Sequence, residues 1–434
     1  MRIAVASIIL AVLAWSDVAR AMCGCLLQTV PKVPKVGVVA NAKIVNKASK
    51  VVLVRDGDKT IMTLANDFVG APVEFGLVIP VPTVIKRQDV KVVGDDLFLE
   101  LERQTAPRLV ESEDPDPCPV ADRRRSAMAE STSGAPMPPS PVAPKKAKAS
   151  DYGVKVESHF FAGEYEFAVL SGADSTRLVA WLQKLDYQVP DDAAAVLGSY
   201  IKQKMYFLVA RVHVKEMGNQ PRFLRPIQVS YTTPKLMLPI RLGMVNADGP
   251  QELLVFTLSK KGRVEPTNYR TAKLPTGQGD LPVFIKSEFN RVYQAAFDEA
   301  TKREDMRVVF IEAAMPVSAG GTDVVVANDA VKKSGAALLQ GRALNDGAFI
   351  TRMHFRYDHE GFPEDLVLQE TADTSPFIAR FSSRSHHLGP ARCSEHEAYL
   401  QQLPARLDRE VQVLANLTGW SIEELRAKQP RVTP

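Results

Sequence analysis

Cysteine is scarce in this 434-residue chain, which has four cysteines against 30 prolines and 25 glycines. The chain also has no strong excess of positive or negative charge. Its 54 lysines and arginines nearly balance its 50 aspartates and glutamates, and the formal net charge is +4. Such a small excess does not suggest the concentrated basic face typical of nucleic-acid binding, so we expect no nucleic-acid partner. The remaining composition, 45% hydrophobic and 24% charged, predicts a globular protein with a sizeable core.

Long hydrophobic runs are also lacking after the N-terminus, which predicts a mature chain without a transmembrane span. The first residues, MRIAVASIILAVLAWSDVARAMC, have the pattern of a signal peptide. Arg2 supplies the positive charge, residues 3–15 the apolar stretch, and residues 19–21 an A-x-A cleavage box. We therefore expect residues 1–21 to be removed and the protein to be exported, to the periplasm or the extracellular space.

The cysteines Cys23, Cys25, Cys118 and Cys393 all lie in the expected mature chain. An oxidising compartment favours disulfides over catalytic thiols and structural zinc ligands. A bond between Cys23 and Cys25 would close a very tight ring and strain the preferred geometry. We therefore expect each of these two to pair with one of the distant cysteines. A lipid anchor and a redox-active Cys-x-Cys pair are the alternatives, although the residues before Cys23 and Cys25 match a lipobox poorly and no CxxC is present.

Alternating strand and helix patterns predict an α+β fold with mainly antiparallel sheets, packed helices and a C-terminal helical tail. Residues 22–110 are rich in β-branched side chains and form the predicted β-rich N-terminal part of the body. Residues 111–150 are dense in Pro, Ser, Ala and charge, which is typical of a disordered linker or insertion. Residues 151–390 form the predicted α+β main body, and residues 391–434 the helical C-terminal segment.

Short-range signals predict where several elements begin and end. The Asp56-Gly57 pair indicates a hairpin turn between two strands. Regularly spaced apolar residues predict a long amphipathic helix over about 285–303. Pro404 is expected as the first residue of a C-terminal helix that ends before Gly419.

The best local cluster of metal-ligating residues is in SHHLGPARCSEHEAY, where His386, His387, Cys393 and His396 lie within eleven residues. Imidazole and thiolate are good ligands for zinc or copper. The spacing matches no standard site, and Cys393 has a competing use as a disulfide partner. We therefore expect no cofactor, and keep a zinc or copper site at His386, His387 and His396 as the alternative.

Motifs of catalysis are lacking as well. The sequence contains no GxSxG elbow, no HExxH pair and no phosphate-binding loop. The resulting prediction is a disulfide-stabilised, non-enzymatic protein that binds a protein or envelope partner or is itself an envelope component. A metal-binding protein, or a hydrolase whose site is assembled from distant residues, is the alternative.

Several stretches resemble an uncharacterised family of secreted bacterial proteins, a domain-of-unknown-function family. The similar stretches are the CGC start, GLVIPVPT, DLFLELERQTAPRL, AVLSGADSTRLVAWLQKLDYQVPDDAAAVLGSYI, YTTPKLMLPIRLGMV and TRMHFRYDHEGFPEDLVLQE. They cover most of the mature chain outside the linker and the last helices. The resemblance implies export and a shared fold, and it implies no catalytic or binding residues.

Overall fold

The computed structural model describes residues 25–28, 45–69, 75–118, 153–185, 187–212, 224–245, 247, 249–318, 325–326, 329–335, 348–390 and 393–429. The expected signal peptide, Cys23 and residues 119–150 of the expected linker lie outside these ranges, and Cys25 is described only through its backbone.

The helices, in chain order, are α1 Asp96–Thr105, α2 Ser175–Lys184, α3 Ala193–Lys202, α4 Arg241–Met244, α5 Phe289–Arg303, α6 Asp329–Lys333, α7 Ser394–Thr418 and α8 Ile422–Lys428. The strands are β1 Cys25–Gln28, β2 Val45–Asp56, β3 Lys59–Val69, β4 Phe75–Val81, β5 Val90–Val92, β6 Arg108–Glu113, β7 Val154–Ala162, β8 Tyr165–Gly172, β9 Tyr206–Val212, β10 Ile227–Thr232, β11 Leu236–Leu238, β12 Gln251–Ser259, β13 Val264–Pro266, β14 Arg270–Lys273, β15 Asp280–Leu281, β16 Val308–Ser318, β17 Val325–Val326, β18 Phe349–Tyr357, β19 Leu366–Glu370, β20 Phe377–Ile378 and β21 Arg380–Ser385. Among the described helices, none is both long and apolar enough to cross a membrane.

Two sheets form the centre of the molecule. The large sheet has the order β14-β16-β18-β12-β2-β3-β10-β5, with β17 and β20 added at β16. The small sheet, β1-β4-β9-β8-β7, is antiparallel throughout. Three-stranded sheets, β11-β19-β13 and β15-β21-β6, lie beside them, and the latter is parallel. The expected α+β class, with mainly antiparallel pairing and a helical C-terminal tail, is therefore confirmed.

Apolar clusters show how these elements are layered. The main cluster joins one face of the large sheet to one face of the small sheet, through side chains such as Val51, Phe355 and Phe167. A second cluster covers the other face of the small sheet with α2 and α3. Two further clusters cover the other face of the large sheet, one under α1 and α6 and one under α5, α7 and α8. The result is a helix, sheet, sheet, helix stack, in which burial of apolar area is the main stabilising contribution.

The β2–β3 hairpin at the centre of the large sheet turns at the predicted residues. Asp56 pairs with Lys59, and Gly57 adopts a φ of 55°, a left-handed conformation that glycine tolerates without a steric penalty. The Asp56-Gly57 turn prediction is confirmed. Since β2 also pairs in parallel with β12, chain segments far apart in sequence share this sheet.

The prediction for the start of the C-terminal helix is wrong. The helix α7 begins at Ser394, and Pro404 lies inside it rather than at its first turn. Proline lacks the N–H that the carbonyl of residue 400 would accept. The helix continues because Leu403 and Leu407, on either side of this position, are buried. At the other end Gly419 has a φ of 69° and donates its N–H to Ala415, so the predicted helix end is confirmed.

Candidate functional site

A row of charged side chains lies on the helix-covered face of the large sheet. Along β18, Arg352, His354 and Arg356 alternate with Met353 and Phe355, so the two sets point to opposite faces. The apolar set belongs to the core between the two sheets. The charged set lies beneath the helices, where a charge requires a partner to remain ionised.

His354 is the centre of this row. Its Nδ1 lies 2.9 Å from Glu312 Oε1, its Nε2 lies 3.1 Å from Glu252 Oε1, and its ring stacks on Phe297 of α5 at 3.7 Å between centroids. Burial lowers the pKa of His354, but the charge of Glu312 and hydrogen bonds with both carboxylates outweigh it and raise the pKa from 6.5 to about 9. The imidazole is therefore charged at neutral pH.

Glu312, on β16, has no exposed side-chain surface and three partners. Arg352 donates from Nε at 2.6 Å, Tyr293 donates its hydroxyl at 2.6 Å, and His354 makes the third contact. Burial raises the pKa of Glu312, but the charges of His354 and Arg352 outweigh it and bring the pKa to about 2. This carboxylate stays ionised inside the protein because it is surrounded by donors.

Arg356 is the residue of the row that lies closest to the protein surface. Its Nη2 lies 2.8 Å from Glu252 Oε2 and 2.8 Å from Asp298 Oδ1, and its guanidinium lies over the ring of Phe297 at 5.4 Å. Burial raises the pKa of Glu252, but hydrogen bonding to His354 and Arg356 brings it to about 2. The charged row thus fixes the position of a guanidinium at the edge of the sheet.

A cleft of about 460 Å³ opens at this edge. It lies between the C-terminal end of α5, the turn that precedes β16, and the turn that follows β18. Its walls carry charges of both signs, and the lining residues are Asp298, Thr301, Lys302, Asp305, Met306, Arg307, Arg356, Asp358, Glu360 and Gly361.

The lining of the cleft includes an uncommon backbone conformation. Asp305 and Met306 are consecutive residues with φ of 49° and 53°, a region that non-glycine residues seldom adopt. Gly361 packs against this turn so closely that an added Cβ would lie 2.6 Å from the carbonyl oxygen of Met306. Such conformations persist only where the surroundings enforce them, and they are frequent at binding sites.

A second group of polar residues lies beneath the C-terminal helix. Four side chains of α7 at helical spacing share one face, which packs against β6, β21 and β15. We call this group the polar seam: it consists of His396, Tyr399, Arg406 and Glu410 on α7, and of Asp114, Asp116, Asp280, Arg384 and His387 opposite.

Asp114 is the residue of the seam with the most partners. Tyr399 donates its hydroxyl to Asp114 at 2.6 Å, and Arg406 Nη1 contacts both carboxylate oxygens at 2.8 and 2.6 Å. Glu410 is different, since it is 3% exposed and neither of its oxygens makes a hydrogen bond within the described part of the chain. Burial raises the pKa of Glu410 to about 7, because Arg406 only partly offsets it while Asp280 and Asp114 add to it.

A disulfide lies beside the polar seam at the start of α7, and it differs from the expected pairing. Cys118 bonds to Cys393, with the sulfur atoms 2.11 Å and the Cα atoms 5.8 Å apart. Neither of these residues is therefore available to Cys23 or Cys25. The expectation failed because tight-ring geometry argues only against a bond between the N-terminal pair, and the sequence does not show that two cysteines 275 positions apart meet in the fold.

The three histidines expected as metal ligands do not form one cluster. His387 and His396 are brought together, with ring centroids 5.6 Å apart, while His386 is a half-buried neighbour in the same loop. Instead, ligand atoms of Asp116, Cys118 and His396 lie within 4.8 Å of one another. Of the described residues, this is the group that could hold a metal ion.

A protein-family model matches most of the chain. A family described as an uncharacterised protein conserved in bacteria (DUF2330) matches residues 22–369. The chain belongs to this family. A comparison with curated proteins and one with solved structures find no match.

The DUF2330 match contains one of the two charged regions whole and the other in part. It includes β12, β16 and β18 and all residues of the cleft. It also includes Asp116 and Cys118, but it ends before His387, Cys393 and α7. The polar seam therefore joins matched and unmatched parts of the chain.

Reasoning from the sequence missed the charged row of this DUF2330 protein, although a signal was present. The stretch TRMHFRY alternates charged and apolar residues with a period of two, and an imidazole or guanidinium at every second position of a buried strand requires partners on neighbouring strands. The partners, Glu312 and Glu252, carry no comparable local signal, since each is a single carboxylate in an apolar strand.

Proposed function

We propose that this DUF2330 protein is exported and acts as a non-enzymatic binding protein, with a small zwitterionic ligand held in the cleft beside Arg356. The observation that carries the proposal is the end of the charged row: one ion pair with Glu252 in the sheet and one with Asp298 on α5 hold the guanidinium of Arg356 in place where a cleft of about 460 Å³ opens. Ligand sites are commonly concave, with a few polar groups fixed in advance.

The charges of the cleft favour a ligand that carries both signs. Lys302 and Arg307 offer cations, and Asp305 and Asp358 offer carboxylates, to the lining of the cleft. A carboxylate bound near Lys302 and an ammonium bound near Asp305 would each make charge-assisted hydrogen bonds. Free amino acids and short peptides have this chemistry and fit a cleft of this size.

Binding is tested by calorimetric titration of the mature protein with free amino acids and dipeptides, each taken singly. We expect one site per chain and recovery of the ligand unchanged after long incubation. Lys302→Ala should weaken binding roughly tenfold or more, because a hydrogen bond to a charged group is lost. Lys202→Ala, an exposed lysine at the end of α3, is the matched control and should bind like the wild type. Chemical turnover of the ligand, or equal affinity for both variants, would contradict the proposal.

Export is supported by the disulfide between Cys118 and Cys393, since such bonds persist in oxidising compartments. It is tested by separating periplasm from cytoplasm and sequencing the mature N-terminus. We expect the protein in the periplasmic or secreted fraction, beginning at Met22, with no free thiol at Cys118 or Cys393. Recovery of an uncleaved, reduced chain in the cytoplasm would overturn this part of the proposal.

A further inference from the structure

We propose that the Cys118–Cys393 disulfide conceals a zinc site: when the bond is reduced, the two thiolates bind Zn²⁺ together with Asp116 and His396. The site is separate from the cleft, so it does not depend on the function proposed above. In the oxidised protein it is a cross-link, and in the reduced protein it becomes a metal centre.

The positions of the ligand atoms support a four-coordinate site. Asp116, Cys118 and His396 each offer an atom within 4.8 Å of the other two, and Cys393 Sγ is bonded to Cys118 Sγ. Zinc takes four nitrogen, sulfur or oxygen ligands at about 2.0–2.3 Å in a tetrahedron, so neighbouring ligand atoms lie about 3.5 Å apart. The sulfur atoms must separate and the other atoms approach by about 1 Å, which side-chain rotation can provide.

His396 gives the independent indication that something binds here. The residue is 2% exposed, and its Nδ1 has no hydrogen-bond partner within the ranges that the structure describes. A buried polar atom left without a partner destabilises the fold, and a bond to a metal ion would remove that penalty. The ring is also held in place, because it contacts His387 and Tyr399 edge to face at 5.6 and 6.0 Å between centroids.

Neighbouring groups orient the other ligands. Asp116 Oδ1 accepts a hydrogen bond from the backbone N–H of Cys118 at 2.9 Å, which fixes the carboxylate beside the sulfur. His387 Nε2 lies 3.8 Å from the same oxygen, within reach of a hydrogen bond after a small movement. The N–H of His396 donates to the carbonyl of Cys393 at 3.2 Å, so the first turn of α7 sets the spacing of these two ligands. Partners of this kind commonly orient metal ligands.

The chemistry requires a reductant, and a dithiol is sufficient. The dithiol transfers two electrons and two protons to the disulfide, becomes a disulfide itself, and leaves Cys118 and Cys393 as thiols. Zn²⁺ then displaces one proton from each thiol as it binds the two thiolates. In the oxidised protein the sulfur atoms are not thiolates, and only Asp116 and His396 remain from the set, which is too few for a stable zinc site.

Such an exchange would preserve the connection between β6 and α7. The covalent bond joins the chain after β6 to the residue before α7, and zinc bound by the same residues would join the same two points. The protein would thus keep its C-terminal helix attached in both redox states. The two redox states would differ in whether Zn²⁺ is bound.

The experiment uses the mature protein with Cys23→Ser and Cys25→Ser, so that no other thiol is present. One sample stays oxidised, and the other is reduced with dithiothreitol and freed of it by anaerobic gel filtration. Both are titrated with Zn²⁺ against a chromophoric chelator, and with Co²⁺ to detect thiolate-to-metal charge transfer. We expect one metal per chain with thiolate absorption after reduction, and at least tenfold weaker binding in the oxidised sample.

Substitutions identify the ligands. His396→Gln and Asp116→Asn should each weaken zinc binding of the reduced protein at least tenfold, and His359→Gln, an exposed histidine on the turn after β18, should not. Circular dichroism of each sample shows whether the reduced chain stays folded or refolds with zinc. Equal zinc affinity of oxidised and reduced protein, no stoichiometric binding after reduction, or an unchanged affinity in His396→Gln would each overturn the proposal.

Discussion

Two buried glutamates of this protein have opposite surroundings. Glu312, in the charged row of β18, is 0% exposed and is held by Arg352, His354 and Tyr293. Glu410, in the polar seam, is 3% exposed and has Arg406 Nε 3.4 Å away without a hydrogen bond. Burial alone raises the pKa of both, yet the pKa of Glu312 is about 2 and that of Glu410 about 7. The number and geometry of donors decide which charge a buried carboxyl carries.

The charged row and the polar seam are two different kinds of polar core. In the charged row each ionised side chain contacts a partner of opposite charge, although Nη1 of Arg352 and Nε of Arg356 make no hydrogen bond within the described residues. In the polar seam, both carboxyl oxygens of Glu410 and Nδ1 of His396 have no hydrogen-bond partner in the described part of the chain. Paired charges rigidify a fold, and a buried carboxyl group without a hydrogen bond costs stability that binding or protonation can recover.

The largest effect is expected from removing the disulfide at the end of the seam. It closes a loop with a sequence separation of 275, for which the chain-entropy model gives about 5–6 kcal/mol as an upper value. Cys118→Ser with Cys393→Ser should lower the free energy of urea unfolding by up to about 5–6 kcal/mol. The variant Cys23→Ser with Cys25→Ser is the control. A loss below about 1 kcal/mol would show that α7 stays attached without the bond.

The next largest effect tests the charged row. Glu312→Ala leaves Arg352 and His354 buried without their common counter-charge, so unfolding should become easier by about 3–5 kcal/mol. Asp329→Ala, which removes an exposed carboxylate paired with Lys332, should cost less than about 0.5 kcal/mol. Urea unfolding of both variants measures the difference. If Glu312→Ala cost no more than the control, the row would not be the rigid support that the cleft proposal requires.

The fold and the site differ in how much the sequence reveals. The Asp56-Gly57 turn and the helix end at Gly419 are local, since each depends on a glycine with positive φ beside a regular element. The prediction from Pro404 was wrong because the burial of Leu403 and Leu407 stabilises the helix by more than the one hydrogen bond that proline removes. Local chemistry therefore predicts element ends, except where tertiary packing is stronger.

The candidate site depends on contacts between residues that are far apart in the sequence. Composition and periodicity give no information about such contacts. Glu312 precedes His354 by 42 positions, and Glu252 precedes it by 102 and reaches it through the pairing of β12 with β18. Asp116 and His396 meet only because a disulfide and a helix face bring them together. Sequence reasoning identified His396, His387 and both cysteines as chemically capable residues, but it could not supply Asp116 or exclude His386.

A third prediction concerns alkaline pH and the charged row. The folded pKa of His354, about 9, lies above its ordinary value of 6.5, so its stabilising contribution is complete below 6.5 and is lost as the pH rises through 9. The loss should reach about 3 kcal/mol. The measurement is urea unfolding at pH 7 and pH 10 for the wild type and for His354→Gln, which lacks this titration. A wild type and variant with parallel pH dependence would show that the imidazole is neutral in the folded protein.

The smallest effect tests the seam at its unsatisfied glutamate. The folded pKa of Glu410, about 7, is raised above the ordinary 4.5, so stability is greatest below pH 4.5 and falls as the pH rises through 7. Glu410→Gln removes this titration and should stabilise the protein at pH 8 by about 2–3 kcal/mol, and by less than about 1 kcal/mol at pH 5. The groups that face it, Arg406, Asp280, Asp114 and Arg384, remain in place. Destabilisation at pH 8 would mean that Glu410 is ionised and paired with Arg406, and the two buried glutamates would then be alike.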